Sequence, residues 1–170
     1  SGNITSNLLK NYNVGLLTLM LNKNIIDSNS IKFDNRFNIM GDMDFVLRLS
    51  RVSLGVPIKS DLAIYRNHKN NLSSNIALTV QERKLWQNEM LFSKLFKNLE
   101  LLPFIEETKY LDFRDEVSNY RFIKSFKKLI KLKGIFLIKG IIIICIRVIY
   151  SFSSYIKHIC LIKNKTSKKI

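Results

Sequence analysis

The sequence predicts an α/β fold: part of a domain with a mostly parallel sheet, followed by a helical C-terminal extension. Three observations lead there. Val14 to Leu21 is an apolar run broken only by Gly15 and Thr18, continuous rather than alternating, as suits a strand covered on both faces. From Met43 the apolar residues Phe45, Leu49 and Val52 fall at helical spacing, and Leu62 to Arg66 then reads as a second, short strand. Beyond residue 78 only helical patterns follow. The expected organisation is 1–77 as the α/β part, 78–120 as a helical extension and 121–170 as a basic, apolar tail.

In chain order, Ser1 to Asn13 is polar with one short apolar pair, and Asn22 to Asn29 reads as a short helix or turn leading to Phe33. Asp34 to Asn38 carries turn formers between two phenylalanines, and Gly41 frees the backbone ahead of the Met43 helix. Asp42 therefore falls at the mouth of a helix. A loop before it lets a carboxylate there face a cleft, and a packed helix behind it holds the group still. Two roles are compatible with that place. Asp42 caps the helix by accepting backbone N–H bonds while Asp44 favours the positive end of the dipole, or Asp42 does chemistry.

Leu54-Gly55-Val56-Pro57 supplies the helix stop. After the second strand, Arg66 to Asn71 is a dense polar loop. Arg66 offers paired donors to a diphosphate; His68 is either a metal or hydrogen-bonding ligand or simply an exposed imidazole. Leu78 to Leu99 reads as a long helix opened by the capping box Thr79-Val80-Gln81-Glu82, with Leu85, Phe92, Leu95, Phe96 and Leu99 on its packing side. Pro103 ends that segment. Glu106 to Glu116 is a charged connector.

Charge is concentrated at one end. The chain carries net +15 at pH 7, with 9 basic against 5 acidic residues over 1–78, 6 against 8 over 79–120, and 13 against none over 121–170. On a helical wheel Arg121, Lys124, Lys127, Lys128 and Lys131 gather on one face and Phe122, Ile123, Phe126, Leu129 and Ile130 on the other, a basic amphipathic helix. Ile135 to Tyr150 is the most apolar stretch, but it contains Lys139 and Arg147 and falls short of the roughly 20 apolar residues that cross a bilayer. Surface association through 121–150 with the anionic inner face of a cell membrane, on the cytoplasmic side, is the expectation, against a helix pair packed on protein with a solvated basic face. The apolar stretch is unsuited to tracking phosphates and no reader motif is present, so nucleic acid is not an expected partner. Cys145 and Cys160 stand without ligand spacing, which suggests neither a zinc site nor a disulfide framework.

Two separated motifs carry a family resemblance. Phe33-Asp34-x-Arg36-Phe37 with Gly41-Asp42-x-Asp44 and Arg48-Leu49, followed by Tyr65-Arg66-x-His68 and Asn71-x-Ser73, resembles the second half of a bacterial family 2 glycosyltransferase. The resemblance spans roughly residues 11–74. It implies a GT-A fold, a Rossmann-like nucleotide-diphospho-sugar transferase domain, and transfer of sugar from a nucleotide-sugar donor to a glycan or lipid-linked acceptor in cell-surface polysaccharide synthesis. It implies Asp42 as general base, although Gly41-Asp42 stands where Glu-Asp is usual. Asp44, Arg66 and His68 fall on substrate- or diphosphate-binding positions, His68 also as a metal ligand. A divalent metal, Mg or Mn, is expected for the complete enzyme. The family's donor-binding half and its Asp-x-Asp metal motif have no counterpart here, so the chain reads as a fragment inactive alone. The alternative is a non-catalytic basic protein that binds a membrane surface or another partner.

Overall fold

The computed structural model describes residues 2–64, 66 and 71–166, which form helices joined by irregular stretches. In order they form α1 (Thr5–Lys10), α2 (Lys23–Ser28), α3 (Gly41–Ser50), α4 (Ile76–Ser93), α5 (Asn98–Ser118), α6 (Phe122–Leu129) and α7 (Gly134–Thr166), with 3-10 turns at Leu16–Thr18 and Leu72–Ser74. Among the described residues there is no strand or sheet, only one antiparallel bridge between Gly2 and Gly55. The α/β expectation, and with it a partial GT-A domain, is therefore corrected to an all-helical architecture.

Both expected strands fail for one reason. A strand is stable only where its N–H and C=O groups find a neighbour and its side chains a cover. Val14 to Leu21 finds no neighbour to pair with, and only Val14, Leu19 and Leu21 find partial cover on the core. It winds through Leu16–Thr18 with Leu16, Leu17 and Met20 exposed, Met20 by 89%. Leu62 to Ile64 likewise runs irregularly, with Ile64 96% exposed.

The chain divides into two compact units, 1–112 and 113–170. In the first, α3 is the centre of the core: Met43, Phe45, Val46, Leu47 and Leu49 are all buried, with Trp86, Met90, Phe96, Leu101 and Phe104 from α4, the following turn and α5. From α1, the buried Thr5 hydroxyl donates to the Ser50 carbonyl at 3.1 Å, and Leu8 and Leu9 join the core. A Cβ at Gly55, which forms the bridge with Gly2, would lie 2.5 Å from Ile4 Cδ1, so a larger residue there displaces the Ile4 side chain.

Helix α4 starts earlier than its capping box suggests. Asn75 is the cap and accepts the Leu78 N–H at 3.0 Å, while Glu82 turns away to another task. Its packing side is also different: Val80, Arg83, Trp86 and Met90 are buried, whereas Phe92 is 90% exposed. Pro103 lies inside α5 instead of ending a segment, and the connector 106–116 is helix. The Arg83 guanidinium joins the two helices. It sits 4.0 Å over the Phe104 ring, donates to Thr108 Oγ1 at 2.9 Å and pairs with Glu107 at 2.6 Å.

In the second unit α6 and α7 turn about Gly134, whose φ of +53° is a left-handed conformation that favours glycine. Gly140 of α7 meets Leu129, Leu132 and Phe113 so closely that a Cβ would lie 2.6 Å from Leu129 Cδ1. Buried Glu116 accepts from Lys128 at 2.6 Å and from Arg121 at 3.5 Å. Among the described residues no helix is long and apolar enough to cross a membrane.

Candidate functional site

Residues 34–44 form a loop and first helical turn that α4 grips with one face. Glu82, Trp86 and Glu89 lie four and three residues apart, so their side chains project to the same side. The Glu82 carboxylate accepts the N–H groups of Asn38, Ile39 and Met40 at 2.9, 2.8 and 2.9 Å. Trp86 Nε1 donates to Asp44 Oδ1 at 3.0 Å. Glu89 receives Arg36, which also holds Asp34 through a 2.6 Å contact. Three contacts thus fasten three successive parts of the segment.

Asp42 is the second residue of α3 and is half-buried. It does not cap the helix: Met40 occupies that position, and the Asp42 Oδ1 atom accepts the neighbouring Met43 N–H at 2.7 Å. Burial raises its carboxyl above the ordinary aspartate range, the backbone bonds from Met43 and Asp42 opposing only part of that effect. Tyr12 faces the same charge. Burial first, then Asp42, pushes its phenol upward, and its hydroxyl is buried with no hydrogen-bond partner.

Asp44 shares that helical turn but is occupied. It is 3% exposed, with Oδ2 accepting Arg48 Nε at 3.0 Å and Nη2 at 2.5 Å while Oδ1 takes the Trp86 bond. Both oxygens are engaged by side chains of the protein itself. Asp44 itself lines an open cleft together with Lys32, Asp34, Arg36, Arg48 and Glu89 among others, and Asp42 is not part of that lining. Arg36 holds the Asp34 carboxyl down at about 2 through its side-chain and backbone bonds. Arg66 lies exposed on the irregular stretch between α3 and α4. His68 and Tyr65 fall outside the described residues.

Asp42 and Asp44 thus lie two residues apart in different settings: Asp42 is bonded only to the backbone beside it, whereas Asp44 is held by Arg48 and Trp86. Among the described residues no group of three or more His, Cys, Asp or Glu side chains could hold a metal ion. Glu82, Trp86 and Glu89 did not stand out in the sequence, where Thr79 with Glu82 passed for a capping box. The available signal was a lone Trp on α4, four residues after one acid and three before another.

In comparisons with known proteins, no family model, no curated protein and no solved structure matches the chain.

Proposed function

We propose that this chain is the acceptor-side part of an enzyme that moves sugar from a nucleotide-sugar donor to a hydroxyl of a glycan or lipid-linked acceptor in surface polysaccharide synthesis. The observation that supports this reading is Asp42: a half-buried carboxyl, raised by burial, on a loop and helix junction fixed by Glu82, within the first of the two motifs that resemble family 2 glycosyltransferases. A raised pKa makes a carboxylate a better proton acceptor.

In the reaction, the acceptor O–H proton passes to Asp42 as that oxygen bonds to the anomeric carbon. The bond from that carbon to the nucleoside diphosphate breaks in the same displacement, and the diphosphate keeps the electron pair. Asp42 orients and deprotonates; Asp44, Arg48 and Trp86 hold the helix that presents it. By the resemblance, the donor would be held by polypeptide outside these residues, and Mg or Mn would neutralise the departing diphosphate in the complete enzyme.

Asp42→Asn in the natural polypeptide that carries this sequence tests the assignment. Turnover falls at least about a hundredfold with the unfolding midpoint not lowered; retained turnover overturns it. Calorimetry of the 170-residue chain with UDP- and GDP-sugars tests the other half of the proposal. No tight binding is expected, and micromolar binding would put the donor site within these residues.

A second reading, a non-catalytic protein attached to the inner surface of a cell membrane, is favoured by a separate observation: α6 and α7 leave apolar faces uncovered. Under that reading Asp42→Asn changes no activity.

A further inference from the structure

Helix α6 has three sides where its sequence suggests two. Ser125 and Leu129 are buried, at 1% and 9% exposure, and line the interior shared with Leu132 and Gly140. Turning about 100° per residue, Phe122, Phe126, Ile130 and Ile123 then form a contiguous arc, and Lys127, Lys131 and Lys124 a second beside it. The apolar arc is bare: Phe122 is exposed by 55%, Ile123 by 78%, Phe126 by 62% and Ile130 by 68%. Lys128 is not part of the outward basic arc, because Glu116 draws it in. On α7 the side away from Gly140 is also apolar and uncovered, with Ile135, Ile138, Ile142 and Ile149 all more than half exposed.

Exposed apolar area of this kind marks a surface that is covered in use. The charge beside it selects the cover. No acidic residue follows Glu116, and 121–170 carries 13 basic residues, so two copies of this face repel one another. A protein interface would also bring hydrogen-bonding groups into its centre. The arc of α6 has none, and the polar groups next to it are ammonium ions on flexible apolar stems, which suit a headgroup layer.

We propose that the second unit docks on an anionic lipid bilayer with α6 lying in the membrane plane, its Phe122, Ile123, Phe126 and Ile130 arc sunk beneath the headgroups and Lys124, Lys127 and Lys131 at headgroup level. The outward side of α7 adds apolar contact without spanning. This deepens the membrane-surface reading, on which it rests, and is independent of the sugar-transfer proposal. It also differs from attachment by charge with only Ile135–Ile146 inserted, since the aromatic wedge is on α6.

Cosedimentation of the full chain with phosphatidylcholine vesicles, with and without phosphatidylglycerol, tests it. The chain partitions to the anionic vesicles, more weakly at high salt but not to zero, and Phe122→Ser with Phe126→Ser lowers the partition at least about tenfold. Both phenylalanines are exposed, so circular dichroism of the double variant stays unchanged. In a Phe126→Trp variant, brominated lipid quenches the new fluorophore, whereas native Trp86, fully buried, stays bright. Undiminished binding by the double variant, or an unquenched Trp at 126, overturns the wedge and leaves attachment by charge. No binding to either vesicle overturns the wedge and the membrane-surface reading together, with dimers in sedimentation or capture by an acidic protein then naming the other cover.

Discussion

The Glu82 carboxylate accepts the Met40 N–H at 2.9 Å across 42 residues of sequence, and the two preceding N–H groups converge on the same carboxylate. A loop that enters a helix leaves several N–H groups unsatisfied, and one buried carboxylate here supplies what a local cap does elsewhere. The junction carrying Asp42 is thus fixed by α4.

Glu82→Gln therefore loosens the junction. An amide offers one acceptor oxygen and turns its NH2 toward donors, so stability falls by about 2 kcal/mol in urea unfolding at pH 7. Burial alone would raise the Glu82 carboxyl, but the Met40, Asn38 and Ile39 bonds outweigh it and hold it below its ordinary 4.5. A lowered folded-state pKa gives stability that is present above 4.5 and lost as pH falls through the folded value. The gap between the two proteins should close in acid, and a gap constant from pH 7 to pH 3 would contradict the assignment.

Asp44 gives a sharper contrast, because its carboxylate is buried between Trp86 and Arg48. Arg48→Met removes the cation and leaves the charge behind, which costs about 3 kcal/mol, the low end for a broken buried pair since Arg48 is partly exposed. Trp86→Phe loses one hydrogen bond and some volume, costing about 2 kcal/mol. The double variant should cost less than the sum, as both act on one carboxylate. Strict additivity in chemical unfolding would show that they do not.

Helix α3 was legible because its apolar spacing and acidic first turn agree with one another, although it ends at Ser50, capped by Arg51, ahead of the expected Gly55 stop. The segregation of α6 was legible too, since charge and apolarity alternate there with a helical period. The strand at Val14 to Leu21 was not. A short apolar run does not distinguish a strand from other conformations, and what decides is a neighbour to pair with, which the sequence does not display. Nor were the fastenings of the site legible: Arg36 meets Glu89 from 53 residues away, and Trp86 meets Asp44 from 42. Local pattern identifies Asp42 as a residue at a helix mouth; only the fold reveals which side chains hold it there.

Gly140 marks the closest approach in the second unit. Ala at 140 would push its methyl against the side-chain ends of Leu129, Leu132 and Phe113, which are all buried and so have little room to give way. Gly140→Ala should destabilise that unit by about 1–3 kcal/mol although alanine is the better helix former. Differential hydrogen exchange would show faster amides in 113–150 and unchanged ones in α3. An unchanged or slower rate in α6 would mean that the two helices are not in contact there.

The pH dependence at Asp42 runs opposite to that at Glu82. Because burial raises the Asp42 carboxyl, the folded state binds its proton more readily than the unfolded chain does, and the ionised form is the strained one. Asp42 therefore costs stability at neutral pH, and the cost disappears as pH falls through the raised value toward 3.8. Asn keeps an oxygen for the Met43 N–H and carries no charge, so Asp42→Asn should equal or exceed the wild type in stability at pH 7 and lose any advantage in acid. Urea midpoints at pH 7 and pH 4 measure this. A variant markedly less stable at pH 7 would show that the carboxylate at 42 holds the helix together, and that a proton acceptor has to be sought on another residue.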